Sequence, residues 1–160
     1  MKIDIDENIR KAKTIPSKFY YSLKIYKKLK KLFNRSWQFI GDTNLLEKNN
    51  AHPDILLEGM VDEPYVLTKS EEKIRCLSNV CTHRGTIVCE ESTKTKNLVC
   101  GYHGRQFGID GKMKFMPEFD DVENFPSNDD NLPEIEMESW KNLLFVINDK
   151  KCDLSELIQP

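Results

Sequence analysis

Two short cysteine–histidine pairs constrain this chain more than any other feature of its sequence. The first pair is Cys81-Thr-His83 and the second is Cys100-Gly-Tyr-His103, with sixteen residues between His83 and Cys100. A glycine follows each histidine within two positions, and glycine lets a backbone approach closely. Thiolate and imidazole groups are strong metal ligands, so we expect the two segments to meet as loops around one metal site. The fold must therefore bring these two parts of the chain together.

The mixed composition of each pair bears on the kind of metal. A mononuclear zinc site accepts two cysteines and two histidines, but its usual pattern groups the cysteines in one half and the histidines in the other. Here each half carries one of each. That pairing favours a two-iron cluster, as in a Rieske [2Fe–2S] centre, with Cys81 and Cys100 on one iron and His83 and His103 on the other. A zinc-stabilised interaction domain stays open as the alternative.

The sequence resembles the Rieske family, and within it the large subunits of Rieske non-haem iron oxygenases of the aromatic ring-hydroxylating and quaternary-ammonium-oxidising types. The resemblance implies a mainly β fold, a Rieske-type antiparallel β-sandwich with two cluster-binding loops, and a [2Fe–2S] cofactor. It implies that Cys81, His83, Cys100 and His103 bind the cluster and that the electron leaves through His103. The matching segments, in the family's order, are residues 15–20 (IPSKFY), 35–41 (RSWQFIG), 81–85 (CTHRG), 100–104 (CGYHG), 110–111 (DG), 117–119 (PEF) and Trp140.

Three residues beside these ligands are candidates for tuning the cluster or conducting the electron out. A cation at Arg84 would favour the reduced cluster, although clamping a neighbouring loop is an alternative role for it. Tyr102 directly precedes His103. Arg105 stands where family members usually carry tryptophan, a departure that concerns loop packing or partner contact and not the ligands.

The positions that distinguish respiratory Rieske proteins differ in this chain. The resemblance implies that those proteins carry a disulfide between the ligand loops and hydroxyl groups that hydrogen-bond the cluster, whereas Thr86, Tyr102, Arg105 and Phe107 stand here. Less of the reduced cluster's added negative charge is then stabilised. We expect a potential toward the low end of the Rieske range of about −150 to +300 mV, which suits a donor to an oxygenase.

The histidine count limits what this chain does by itself. The resembling oxygenases hold a catalytic Fe(II) through two histidines and a carboxylate, but only His52 remains once His83 and His103 are assigned. We therefore expect a one-electron carrier that relays electrons from a reductase or ferredoxin to a mononuclear iron oxygenase site on another domain or chain. A free-standing Rieske ferredoxin that serves other acceptors is the second interpretation, and whether the chain counts as an enzyme stays open.

Charge divides the chain into segments. Residues 1–35 contain eleven Lys and Arg against three Asp and Glu, so the rest of a chain with net charge −2 is acidic. The expected organisation is an N-terminal helical arm at 1–36, a Rieske domain at 37–150, and at 151–160 a C-terminal tail or the start of a linker to an absent catalytic domain. The arm is predicted to form a basic helix from Ser17, docked on the core through Phe19, Leu23, Tyr26, Leu29 and Phe33.

After Trp37, short apolar or alternating runs separated by Gly, Pro, Asn and Asp predict antiparallel β structure. Asp110-Gly111 and Lys141-Asn142 predict hairpin turns, and residues 153–157 a short helix. Residues 119–133 are expected to form a long surface loop that keeps Asp120, Asp121, Asp129 and Asp130 solvated. The candidate strands are Ile55–Gly59, Tyr65–Lys69, Ile74–Val80, Leu98–Cys100, Arg105–Ile109, Lys112–Met116, Ile135–Trp140 and Leu143–Ile147.

Composition bears on location and on the remaining reactive residues. The longest apolar run, Leu143–Ile147, is far shorter than the roughly 18 residues of a membrane span, and the charged N-terminus lacks an apolar signal core. We expect a cytoplasmic protein without membrane or nucleic-acid partners. His52 is interpreted as a surface side chain in a polar loop. Of the other cysteines, Cys76 and Cys89 are interpreted as buried thiols and Cys152 as an exposed thiol.

Overall fold

Antiparallel β-strands dominate the computed structural model, which describes residues 5–71 and 73–158. The strands are β1 (Gln38–Asp42), β2 (Ala51–Leu56), β3 (Glu63–Ser70), β4 (Lys73–Ser78), β5 (Asn97–Val99), β6 (Gln106–Gly108), β7 (Met113–Phe115), β8 (Glu134–Trp140) and β9 (Leu143–Ile147). The helices are α1 (Lys18–Tyr21), α2 (Leu23–Asn34) and α3 (Leu154–Leu157), with 3-10 turns at Thr43–Leu46 and Asn128–Asp130. One sheet has the order β1-β9-β8-β4-β3-β2 and the other β5-β6-β7. The predicted mainly β, antiparallel class is confirmed.

The six-stranded sheet separates two hydrophobic cores because successive residues of a strand point to opposite faces. On β4, Leu77 belongs to the core that also contains Cys81, Cys100 and Phe107. Its neighbour Cys76 belongs to the other core, with residues of β3 and β9. The first core therefore supports the part of the chain that carries both cysteine–histidine pairs.

Two hairpins form where the sequence predicts them. Gly111 turns the chain from β6 into β7 with φ +81°. A Cβ at this position would meet Leu77 Cδ2 at 3.0 Å and the Leu132 carbonyl at 3.3 Å, so both the backbone and the space require glycine. The second hairpin joins β8 to β9, with Trp140 paired to Leu143 and with Lys141 at φ +56°.

The first two strands lie where the sequence analysis did not place them. β1 was missed, although it pairs with β9 across an irregularity between Phe39 and Gly41. β2 occupies Ala51–Leu56, whereas the candidate strand Ile55–Gly59 runs into a turn in which Leu57 has φ +52°. Pro53 obscured β2, because proline weakens a strand signal. Proline is tolerated here since β2 lies at the edge of the six-stranded sheet, with β3 as its neighbouring strand.

The predicted N-terminal helix forms, but its predicted docking on the core is wrong. The helix is interrupted at Ser22, whose extended backbone separates α1 from α2. Neither helix has a buried residue. Leu23, on the apolar face, is 75% exposed. The Tyr26 hydroxyl donates to the Gly59 carbonyl at 3.2 Å, and the Asp149 amide donates to the Asn34 carbonyl at 3.2 Å. No helix among the described residues is long and apolar enough to cross a membrane.

The C-terminal segment packs on β8. The predicted short helix is confirmed as α3, which a capping box of Asp153 and Glu156 begins. Leu154 is buried, and its amide donates to a Glu138 carboxylate oxygen at 3.0 Å. Trp37 Nε1 donates to the Cys152 carbonyl at 3.0 Å. Residues beyond 150 are thus attached to the body of the fold as far as the structure describes them.

Candidate metal centre

Two loops with the same backbone geometry carry the cysteine–histidine pairs. The first loop, residues 81–86, follows β4, and the second, residues 100–105, joins β5 to β6. In each loop the cysteine amide donates to the carbonyl five residues later at 2.8 Å, and the glycine four residues later donates back to the cysteine carbonyl at 3.0 Å. Those glycines, Gly85 and Gly104, have φ +74° and +73°, a conformation that disfavours a Cβ. The sequence thus builds one compact turn twice.

Cys81 and Cys100 lie together at the buried base of the two loops. Both thiols belong to the first core and are almost fully inaccessible. Burial raises the pKa of the Cys81 thiol, and the neighbouring Cys100 thiol raises it further, while backbone N–H groups of His83 and Arg84 lower it. Amides directed at a sulfur stabilise thiolate charge, which a bound metal also requires.

His83 and His103 form the second pair, and one of their nitrogen atoms has no partner. The ring centroids lie 4.8 Å apart in an edge-to-face arrangement. His83 Nδ1 is buried and makes no hydrogen bond. A buried polar atom without a hydrogen bond is rare, and a bond to a metal satisfies it. Burial lowers the pKa of His83, and His103, Arg105 and Arg84 lower it further, so the ring is held in the neutral form that binds metals.

The four side chains are arranged as two pairs. The Cys81 and Cys100 thiols lie within hydrogen-bond reach of each other, and the His83 and His103 rings are in edge-to-face contact. A tetrahedral zinc ion needs its four ligands around one point, whereas each iron of a Rieske cluster takes two protein ligands. The donor set and its pairing therefore fit a two-iron cluster better than zinc.

Aromatic rings border the histidine pair. The Tyr102 ring stacks on His103 with centroids 3.9 Å apart, and Tyr102 is 62% exposed. The Phe119 ring lies edge-on to His83, with centroids 6.3 Å apart, and contacts the Phe125 ring, with centroids 4.9 Å apart. Part of the predicted surface loop at 119–133 is therefore packed against the site, while the outer edge of His103 stays open to solvent.

Arg105 is buried beside the site, with 3% of its surface exposed. Its Nη1 donates to the Thr82 hydroxyl at 2.8 Å and its Nη2 to Asp130 Oδ1 at 3.1 Å. The guanidinium also lies over the Phe125 ring, 5.5 Å from the centroid. An arginine in an otherwise apolar environment needs a carboxylate partner, but sequence alone could not choose among the acidic residues of the loop.

The Asp130 side chain is only 21% exposed, so the expectation that it is solvated holds only in part. Besides Arg105, it accepts from the Ser127 amide at 2.8 Å and from the Ser127 hydroxyl at 3.0 Å. The Ser127 amide, the Ser127 hydroxyl and the Arg105 guanidinium together lower the pKa of its carboxyl group. Asp120, Asp121 and Asp129 are exposed, as expected. The 3-10 turn that contains both Asp129 and Asp130 points only one of them inward.

The remaining candidates do not belong to the four ligand candidates. Arg84 is exposed. Cys76 and Cys89 are buried free thiols, as interpreted, and Cys152 is half-buried. His52 lies in β2 and not in a polar loop, with Nδ1 2.8 Å from the Ser92 hydroxyl.

Asn79 is a residue that the sequence analysis missed. It is buried, and its side chain exchanges two hydrogen bonds with the Cys89 backbone, at 2.8 and 2.7 Å. These bonds join the two ends of the segment that contains the first loop. The only signal in the sequence is a polar residue between the end of β4 at Ser78 and the start of the first loop at Cys81.

Comparisons with known proteins agree with this geometry. A family model described as the Rieske [2Fe–2S] domain matches residues 36–126. The oxygenase subunit of carnitine monooxygenase from Acinetobacter baumannii is 28% identical over 148 residues, 91% of this chain. The large oxygenase component of a naphthalene 1,2-dioxygenase system from Pseudomonas putida is 37% identical over 91 residues, 56% of this chain.

A solved structure shows the same architecture. A quaternary ammonium Rieske monooxygenase in complex with L-carnitine superposes with a TM-score of 0.81 and 25% identity, covering 93% of this chain and 42% of that protein. The chain spans 39% of the length of the carnitine monooxygenase subunit and 20% of the naphthalene dioxygenase component.

Proposed function

The chain belongs to the Rieske [2Fe–2S] domain family, and on that premise we propose that it relays single electrons from a reductase or ferredoxin to a mononuclear iron oxygenase site. The acceptor lies on another domain or chain. Membership of a family found in oxygenases implies electron transfer in general. The relay to an oxygenase is our specific proposal, and it is supported by relatives that are oxygenase components.

We assign the cluster to Cys81, His83, Cys100 and His103. The observation that carries this assignment is the buried, unpartnered Nδ1 of His83 beside His103. When bound, a cluster with two thiolate and two imidazole ligands supplies a one-electron redox couple. The core keeps the two sulfur atoms away from water, and the amides of His83 and Arg84 stabilise the negative charge on Cys81.

The exposed side of the histidine pair is where partners would exchange electrons. Tyr102 and His103 are stacked, and both are open to solvent. If His83 and His103 hold an iron, a partner that contacts this edge would meet a ligand ring directly, whereas both cysteines are buried. We therefore assign this edge as the electron entry and exit surface of the relay.

The class of acceptor follows from the relatives. A carnitine monooxygenase oxygenase subunit and a naphthalene 1,2-dioxygenase large oxygenase component match this chain over 39% and 20% of their own lengths. We propose an acceptor of the quaternary-ammonium or aromatic-ring oxygenase class. A cytoplasmic location is part of the proposal, because the three cysteines outside the ligand set, Cys76, Cys89 and Cys152, are free thiols, the state that a reducing compartment maintains.

A free-standing Rieske ferredoxin is the second candidate. It would use the same four ligands and the same exposed edge, but it would serve acceptors other than an oxygenase. The N-terminal helices favour the oxygenase-linked carrier, because an independent carrier has no evident need for their exposed apolar face.

Absorption and electron paramagnetic resonance spectra, recorded anaerobically before and after dithionite, test the proposal. We expect a red-brown protein with two iron and two sulfide per chain and, once reduced, a signal with the low average g value of a histidine-ligated cluster. His83→Ala should abolish that signal, whereas Cys152→Ser, which removes a thiol away from the site, should keep it. A colourless protein that binds one zinc would overturn the proposal.

A further inference from the structure

We propose that Arg105, paired with Asp130, holds the two loops in position and that the buried charges of the two residues act on the reduction potential of the cluster in opposite directions. This inference rests on the function proposed above. Arg105 is a positioning residue here, because its hydrogen bonds go to Thr82, Asp130 and Met116 and not to the four ligand candidates. Its influence reaches the site through Thr82, through Phe125 and through its electric field.

The contacts of Arg105 join three segments that are separate in the sequence. Arg105 ends the second loop, and its Nη1 reaches the Thr82 hydroxyl in the first loop at 2.8 Å. That hydroxyl donates in turn to the Asp130 backbone carbonyl at 2.7 Å, while Arg105 Nη2 binds the Asp130 carboxylate at 3.1 Å. The three residues form a closed ring of hydrogen bonds, which we call the Arg105 clamp. A shift of either loop would break at least one of its bonds.

The clamp reaches His83 by two routes. Thr82 precedes His83 directly in the chain, so a fixed Thr82 fixes the start of the histidine backbone. On the other side, the guanidinium lies 5.5 Å from the Phe125 centroid, and Phe125 contacts the Phe119 ring that borders His83. Both the backbone and the ring of His83 are thereby held in place.

Burial makes the charges of the clamp effective. The side chains of Arg105 and Asp130 are 4% and 21% exposed. Charges interact more strongly across a protein interior than through water, and a guanidinium stays protonated throughout the usable pH range. Because reduction adds negative charge to the cluster, an unbalanced Arg105 favours the reduced form and an unbalanced Asp130 opposes it. In the intact clamp the two effects largely cancel.

Protein-film voltammetry tests the charge role, because it measures the reduction potential of purified variants that contain the cluster. Removing the cation in Arg105→Gln should lower the potential, and removing the anion in Asp130→Asn should raise it. The double variant Arg105→Gln/Asp130→Asn should lie between the two single variants. A loss of packing alone does not predict shifts of opposite sign, so this outcome separates charge from structure.

Arg84 and Arg35 supply matched controls. Arg84 is adjacent to His83 in the chain but exposed, so Arg84→Gln should shift the potential less than Arg105→Gln. Arg35 is exposed, pairs with Asp149 at 2.7 Å and belongs to neither ligand loop, so Arg35→Gln should leave the potential unchanged. Equal shifts from Arg84→Gln and Arg105→Gln would overturn the role of burial.

Thr82→Val tests the positioning role without changing charge. We expect the potential to stay near that of the wild type while the cluster is lost faster in the presence of a chelator and the paramagnetic resonance lines broaden. If Thr82→Val keeps both the wild-type rate and the wild-type line width, the positioning role is overturned.

The outcomes distinguish this inference from the proposed function. Wild-type protein without the cluster signal would overturn the proposed function and this inference with it. If the wild-type protein contains the cluster but the two single variants shift the potential in the same direction, or not at all, this inference is overturned and the proposed function stands. Should Arg105→Gln not fold, Asp130→Asn and Thr82→Val still decide both parts.

Discussion

Gly85 and Gly104 occupy the same place in their loops, but their surroundings differ. Both have a positive φ that L-residues rarely adopt. A Cβ at Gly85 would meet nothing within 4 Å, whereas a Cβ at Gly104 would lie 3.2 Å from Pro117 Cγ. The first glycine is needed for its backbone conformation alone, and the second also for close packing against the segment that follows β7.

This difference predicts unequal effects of alanine. Gly85→Ala should cost about 1–2 kcal/mol of unfolding free energy, the usual penalty for an L-residue in the left-handed conformation. Gly104→Ala should cost more, because Pro117 must also move. Urea denaturation of the two variants checks the order. Equal losses would mean that the Pro117 contact carries no energy.

Sequence reasoning at the residue scale succeeds where chemistry is local. The four ligand candidates are identifiable because residue type and spacing alone limit what they can bind. Arg105 shows the opposite case, since its partners are 23 and 25 positions away. Its departure from the family's tryptophan marked it as unusual but did not reveal Thr82 or Asp130.

At the scale of elements, β4 and α2 differ in what supports them. Leu77 on β4 is 1% exposed, whereas Leu23 on α2 is 75% exposed. Leu77→Ala should cost about 2–5 kcal/mol through lost burial and the cavity left behind. Leu23→Ala should change stability by no more than about 0.5 kcal/mol, because alanine also suits a helix. Chemical denaturation compares them. A large loss from Leu23→Ala would restore the docked helix that the sequence predicts.

The 3-10 turn at Asn128–Asp130 predicts a specific acid sensitivity. The folded-state pKa of Asp130 is lowered, so its stabilising contribution is complete above the unfolded-state pKa of about 4. The contribution is lost as pH falls from that value through the lower folded-state pKa. Asp130→Asn should therefore lower the Tm at pH 6 more than at pH 3.5. Thermal unfolding at the two pH values measures the difference.

Asp129 provides the control for this prediction. It belongs to the same turn but is exposed and accepts no hydrogen bond from Ser127 or Arg105. Asp129→Asn should change the Tm little at either pH. If Asp130→Asn lowers the Tm equally at both pH values, its carboxylate charge does not contribute to stability.

At the scale of the whole molecule, the N-terminal arm and the body are weakly connected. Neither α1 nor α2 has a buried residue, and the contacts of the arm concentrate at its end, where Asn34 and Arg35 meet Asp149. A variant that begins at Asn34 should therefore keep the cluster signal and a Tm close to that of the full chain. Its spectrum and thermal unfolding check this.

A variant that begins at Trp37 is the matched comparison. It lacks Asn34 and Arg35, so it should lose some stability relative to the variant that begins at Asn34. Loss of the cluster from the variant that begins at Asn34 would show that the arm supports the site. It would also contradict the predicted boundary between residues 36 and 37.

The sequence by itself determined the four ligand candidates, the antiparallel β class, the two hairpins and the basic helix, because each depends on residue types within one short segment. Only the tertiary structure decided that Pro53 lies in an edge strand, that the apolar face of α2 stays exposed, and that Arg105 pairs with Asp130 through Thr82. These features depend on which distant segments the two sheets bring together. Neither periodicity nor composition encodes that arrangement, because it follows from the packing of the whole chain.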